Sequence, residues 1–101
     1  MTEIQIAVPR RKLRTFCHRW KIVEFGLFGS ALRDDFNASS DVDVLVSFAS
    51  GAQVSLFDLA QMQFELETLF GHPVDILEKE GLRNPFRKRE ILKTARVIYA
   101  A

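Results

Sequence analysis

Apolar residues recur along the chain with periods that alternate between those of helices and those of strands. A first helix is predicted over residues 9–20, with Pro9 in its first turn, because apolar side chains return at helical spacing. Residues 22–28 are rich in β-branched and aromatic side chains and end at Gly29, which is typical of a strand entering a tight turn. A short helix is expected over residues 31–35. The apolar face of the first helix consists of Leu13, Phe16, Cys17 and Trp20.

The clearest strand covers residues 41–48, where side chains alternate between two faces. One face carries Val42, Val44, Val46 and Phe48, and the other carries Asp41, Asp43, Leu45 and Ser47. Residues 73–77 are predicted to form a short third strand, and residues 96–99 a terminal strand.

A long helix is predicted between an N-cap at Ser55 and a glycine stop at Gly71. Its main apolar stripe consists of Leu56, Leu59, Met62, Leu66 and Leu69. A second apolar stripe consists of Phe57, Ala60 and Phe64. One stripe is enough to dock a helix on a sheet, so this second stripe is additional apolar surface. We therefore expect Phe57 or Phe64 to contact another protein chain, in a homo- or hetero-oligomer formed through the 55–70 helix. The alternative is that a terminal helix, beginning at Asn84 or Pro85 and ending near Thr94, covers this face.

This order of elements predicts a single domain over residues 1–101 of the α/β (α+β) class, a small mixed sheet covered by helices. Fourteen Lys and Arg residues against thirteen Asp and Glu give a net charge of +1, so direct binding to nucleic acid is not expected. The lone Cys17 excludes an internal disulfide, and no apolar run reaches the roughly 18 residues of a membrane helix. We expect a cytoplasmic protein without membrane contact.

Two aspartates in the second strand carry the strongest chemical signal. Asp41 and Asp43 are two positions apart, so they lie about 7 Å apart along the backbone and point to the same strand face, where their carboxylates can converge on one point. Two ionised carboxylates side by side repel unless a cation lies between them. Their hard oxygen ligands suit Mg²⁺, which completes its shell with water and substrate phosphate. The pair therefore predicts a magnesium site.

Gly29 and Ser30 supply the phosphate side of the same site. Glycine lets the backbone approach an anion closely, and a serine at a helix start offers both an N–H and a hydroxyl. Arg33 is expected on the same face of the short helix, where it can donate to phosphate oxygens. Asp75 is the third candidate carboxylate, because it faces away from the core if Val74 and Ile76 face it. Three carboxylates on adjacent strands can hold the two cations of a phosphoryl or nucleotidyl transfer.

The segments Leu27 to Arg33, Ser40 to Val46 and Val74 to Leu77, read as LFGSALR, SDVDVLV and VDIL, resemble the minimal nucleotidyltransferases of the polymerase-β superfamily. The resemblance extends over nearly the whole chain and implies a polymerase-β-like nucleotidyltransferase fold. It also implies that the Gly29–Ser30 turn binds a nucleoside triphosphate, that Asp41 and Asp43 hold Mg²⁺, and that Asp75 completes the site. Relatives often have glycine after the arginine, whereas Asp34 follows Arg33 here.

Many members of this family are antitoxins that pair with a helical RNase toxin of the HEPN type. The resemblance implies that the chain transfers AMP from ATP to a hydroxyl of such a toxin, most simply a tyrosine. The alternative is a binding module that neutralises the toxin by contact alone. Two basic runs, at residues 10–14 and 83–89, fit solvent-exposed surfaces. The alternatives are contact with RNA for the first run, and contact with an acidic partner or the nucleotide for the second. His18 and His72 lack the spacing of a zinc site.

Overall fold

The computed structural model describes residues 4–101. Local sequence signals explain where its elements begin and end. Ser55 and Asp58 form a reciprocal capping box at the start of the long helix, and Gly71 ends that helix with a left-handed φ of 73°. Asn84 caps the last helix by accepting hydrogen bonds from the N–H groups of Phe86 and Arg87. The elements in chain order are α1 (Arg10–Arg19), β1 (Ile22–Phe28), a 3₁₀ turn (Gly29–Leu32), β2 (Val42–Phe48), α2 (Leu56–Phe70), β3 (Val74–Glu78), a 3₁₀ turn (Lys79–Gly81), α3 (Pro85–Thr94) and β4 (Arg96–Ala100).

The strands form one four-stranded mixed sheet in the order β3-β2-β1-β4. β1 runs antiparallel to both β2 and β4, whereas β2 and β3 are parallel. The crossover from β2 to β3 consists of α2, as a parallel pair requires. The α/β fold class with a small mixed sheet is therefore confirmed.

The main core lies between one face of the sheet and helices α1 and α2. Phe25 of β1 is fully buried at its centre, with its ring centroid 6.3 Å from those of Phe16 in α1 and Phe70 in α2. Cys17 is also buried and Trp20 packs against the core, as predicted. No helix within residues 4–101 combines the length and apolar character needed to cross a membrane. The remaining buried core residues are Leu13, Ile22, Leu27, Val42, Val44, Val46, Met62, Leu66 and Val74.

Several sequence predictions need correction. Pro9 is the N-cap of α1 and lies outside its first turn. The short helix expected at residues 31–35 is a 3₁₀ turn at Gly29–Leu32 that includes the Gly-Ser pair. The prediction that Leu56 belongs to the docking stripe of α2 is wrong. Leu56 is 83% exposed, because the first turn of α2 extends past the packed part of the helix.

The second apolar stripe of α2 is not covered by the last helix. Phe57 and Phe64 are 89% and 66% exposed. The reason is topological: α2 leads into β3 at one edge of the sheet, whereas α3 leads into β4 at the opposite edge. The alternative that the terminal helix buries this stripe is therefore wrong, and contact with another chain stays a prediction.

Candidate active site

Gly29 occupies the sharp turn between β1 and the 3₁₀ turn, with a left-handed φ of +68°. A side chain here would also meet a neighbour, because a Cβ atom built on Gly29 overlaps a carboxylate oxygen of Asp43. Glycine is thus required both by the backbone conformation and by the close approach of Asp43. The turn therefore places its backbone directly beside a strand carboxylate.

Ser30 connects this turn to the start of β2. Its hydroxyl donates a hydrogen bond to the backbone carbonyl of Asp41, across the loop that separates the two residues. A backbone hydrogen bond from Ser30 also stabilises the ionised Asp43 carboxylate. The two halves of the sequence motif, Gly-Ser and Asp-x-Asp, are therefore joined by direct hydrogen bonds.

Asp43 is the centre of the acidic cluster. It lies opposite Phe28 of β1 on one side and opposite Asp75 of the parallel strand β3 on the other. Neighbouring strands are about 4.8 Å apart, so the side chains of Asp43 and Asp75 leave the sheet close together. Asp43 is half-buried and Asp75 is exposed, which confirms that Asp75 faces away from the buried Val74.

The environment of Asp43 disfavours its negative charge. Burial raises the pKa of its carboxyl above the usual value, and the charges of Asp75 and Asp41 raise it further. The Ser30 hydrogen bond and the Arg33 guanidinium lower the pKa and offset part of this effect. A cation bound beside Asp43 would offset this penalty on the ionised carboxylate.

The donor set fits magnesium, although it is not a closed cage. Within residues 4–101, no group of three or more His, Cys, Asp or Glu side chains is arranged to hold a metal ion. Mg²⁺ usually takes only one or two protein carboxylates and fills its shell with water and substrate phosphates. Asp41, immediately before β2, and Asp43, within it, supply such a pair, with Asp75 beside them.

Arg33 lies close to the acidic cluster, but its backbone conformation differs from the helical one expected. It follows the 3₁₀ turn in an extended conformation, and its backbone N–H donates to the Ser30 carbonyl at 3.0 Å. Its side chain is 66% exposed and pairs with Asp35 at 3.4 Å. The predicted shared helical face with Ser30 is wrong, but the charge of Arg33 still acts on Asp43.

A cleft of about 570 Å³ opens beside the Gly29 turn. Sequence reasoning found its Gly29 and Arg33 but missed Glu90 and Thr94 of α3 and Arg96 of β4. The missing information was the strand order, because β4 pairs with β1 and places Arg96 opposite Leu27, two residues before Gly29. The cleft is lined by Gly29, Leu32, Arg33, Glu90, Thr94 and Arg96.

Other polar or reactive residues have structural roles. His72 contacts the Ser40 carbonyl through Nδ1 at 3.1 Å and packs on Phe36, so it holds the loop before β2 against the start of β3. Burial raises the pKa of the Cys17 thiol to about 12, which makes it an unreactive core residue.

Comparison with known proteins shows which family this chain resembles. The family described as nucleotidyltransferase domain matches residues 10–98. Protein adenylyltransferase MntA of Thermococcus cleftensis is 36% identical over 83 residues, which cover 82% of this chain and 79% of MntA.

Solved structures share the fold. A minimal nucleotidyltransferase is 34% identical, with a TM-score of 0.69 and 86% of each chain covered. A toxin-antitoxin structure with AMP-PNP reaches a TM-score of 0.73 at 14% identity, covering 93% of this chain and 75% of the other.

Proposed function

The chain belongs to the nucleotidyltransferase domain family, as its sequence resemblance indicated, and we propose that it transfers AMP from ATP to a hydroxyl of a partner toxin. The proposal rests on one observation: Asp43 contacts the Gly29–Ser30 turn on one side and lies in register with Asp75 on the other. This arrangement groups the Gly29–Ser30 turn with the carboxylates of Asp41, Asp43 and Asp75 in one region of the sheet, which supports the proposal.

In this proposal each residue has a distinct task. The backbone of Gly29 and Ser30 binds the β- and γ-phosphates, with Arg33 contributing positive charge. Asp41 and Asp43 would hold Mg²⁺, two ions in the active complex with the help of Asp75. Bound magnesium supplies charge neutralisation on the triphosphate and on the attacking oxygen.

The transfer itself is an in-line displacement at the α-phosphorus. Asp75 accepts the proton of the acceptor hydroxyl, whose oxygen forms a new bond to the α-phosphorus. The bond between the α-phosphorus and the bridging oxygen breaks, and pyrophosphate leaves with the electron pair. The product is a phosphodiester between AMP and the acceptor. The exposed position of Asp75 at the edge strand β3 suits an acceptor that belongs to another macromolecule.

The partner is proposed from the relatives. MntA, 36% identical to this chain, is named as a protein adenylyltransferase, and a toxin-antitoxin structure with AMP-PNP shares the fold. We infer that this chain is the antitoxin of a HEPN-type toxin and that a toxin tyrosine accepts AMP. The second candidate, neutralisation by contact alone, is favoured by the exposed Phe57 and Phe64, which offer a binding surface that the chemistry does not need.

The two candidate functions predict different masses for the partner after incubation with ATP. The complex of this chain with its partner is incubated with ATP and Mg²⁺, and the intact mass of the partner is measured. AMP transfer predicts an increase by one or more AMP units, absent with Asp43→Asn. Asp34→Asn is the matched control, because Asp34 is an exposed acid outside the cluster. An unchanged partner mass with a stable complex would instead support neutralisation by contact.

A further inference from the structure

The cleft beside the Gly29 turn has a second wall that the transfer chemistry does not use. One wall is the phosphate-binding turn with Leu32 and Arg33, and the other is formed by Glu90 and Thr94 of α3. Its volume of about 570 Å³ lies within the range of about 300–1,000 Å³ that small-molecule sites occupy. A triphosphate bound at Gly29 would therefore have room for its nucleoside on the side toward α3.

The cleft is lined by charges of both signs. Arg33 and Arg96 bring positive charge, which suits a nucleotide, whereas Glu90 brings the one negative charge among the described residues that line it. A carboxylate facing an anionic ligand is unfavourable unless it accepts hydrogen bonds from that ligand. Glu90 is exposed, and none of the ion pairs within residues 4–101 involves it.

The helix holds Glu90 at a fixed place. Asn84 caps the start of α3, and Ile91, next to Glu90, is buried. The Thr94 hydroxyl donates to the Glu90 backbone carbonyl at 2.9 Å, so its hydrogen is already used within the helix. Glu90 is thus the charged acceptor that α3 presents to the cleft.

We propose that this cleft holds the nucleoside part of the nucleotide and that Glu90 accepts hydrogen bonds from the ribose hydroxyls. The two oxygens of one carboxylate match the two neighbouring hydroxyls of a ribose, each of which is a donor. Glu90 is therefore a specificity-determining residue that selects ribonucleotides over 2′-deoxyribonucleotides. This inference rests on the proposed function, because it requires a triphosphate at Gly29. It also means that this short chain binds sugar and base with its own α3 and β4.

Calorimetry with two probes tests the proposal. The α,β-methylene analogues of ATP and 2′-deoxyATP are titrated with Mg²⁺ into the full chain, because these analogues cannot release pyrophosphate. The wild type should bind the ribose form about 10-fold more tightly, as expected for a hydrogen bond to a charged group. Glu90→Ala should abolish this preference, and Glu90→Gln, which keeps one acceptor oxygen, should retain part of it. Glu78→Ala, an exposed acid outside the cleft, should bind like the wild type.

Each contrary outcome has its own meaning. Equal Kd values for the two analogues in the wild type, or an unchanged ratio in Glu90→Ala, would overturn the ribose assignment while leaving nucleotide binding intact. The α,β-methylene analogue of GTP is titrated as an additional probe. A changed preference for the ATP over the GTP analogue in Glu90→Ala, without a changed ribose preference, would also overturn the ribose assignment, since Glu90 would then bind the base. Failure of the wild type to bind any of these nucleotides would overturn the proposed function together with this inference.

Discussion

Replacing Gly29 by alanine perturbs the turn in two separable ways. A left-handed backbone costs a residue with a Cβ atom about 1–2 kcal/mol relative to glycine. At Gly29, with φ at +68°, the new Cβ also overlaps the Asp43 carboxylate and lies 3.3 Å from its Cγ atom. We expect Gly29→Ala to lower the free energy of unfolding by at least this backbone cost, which lowers the Tm by roughly 5–15 °C in a domain of this size. Because the carboxylate must also move, Mg-ATP binding should be lost.

Gly71→Ala is the matched control. Gly71 has a similar φ of +73°, but a Cβ built there meets nothing within 4 Å. It should lower the Tm through the backbone cost alone and leave the affinity for Mg-ATP unchanged. In an Asp43→Ala background, where the opposing carboxylate is absent, Gly29→Ala should cost no more than Gly71→Ala. Thermal melts and calorimetry measure both effects. A Gly29→Ala variant that melts and binds Mg-ATP like the wild type would refute the reasoning.

Three further predictions concern other parts of the chain. Asp43→Asn should raise the Tm in metal-free buffer at pH 7, but much less near pH 4. The raised pKa of Asp43 means that the ionised carboxyl is less favourable in the folded than in the unfolded chain. The wild type therefore loses stability as the pH rises through the folded pKa, and the variant does not. An equal gain in Tm at both pH values would contradict the prediction that Asp43 has a raised pKa. Phe57→Ser and Phe64→Ser should leave the Tm nearly unchanged and weaken self-association or partner binding by light scattering; several degrees of destabilisation with normal association would contradict this. Native Cys17 should resist a thiol reagent at pH 8 until denaturant is added, whereas rapid labelling would show that it is accessible.

Much of the fold could be predicted because its signals are local. The bounds of β1 and the caps of α2 follow from residues within a few positions of each boundary. Alternation in β2 was enough to place Asp43 away from the valine face. The side of β3 that carries Asp75 followed in the same way, from its buried neighbour Val74.

The rest depends on contacts between distant segments. Strand order places Glu90 and Arg96 beside Gly29, and no local pattern reports that β4 pairs with β1. The close approach of Asp43 to Gly29 joins two different strands, so the residues around Gly29 do not report it. For the same reason, the apolar pattern of α2 did not show that Leu56 extends past the core into solvent.

Transfer of label from ATP to the partner tests the proposed AMP transfer most directly. The complex of this chain with its partner is incubated with Mg²⁺ and ATP labelled at either the α- or the γ-phosphorus, and the partner is then isolated. We predict label from the α position only, lost in Asp43→Asn and retained in Asp34→Asn. Label from the γ position, no label from the α position, or α-label that persists in Asp43→Asn would contradict an adenylyl transfer centred on Asp43.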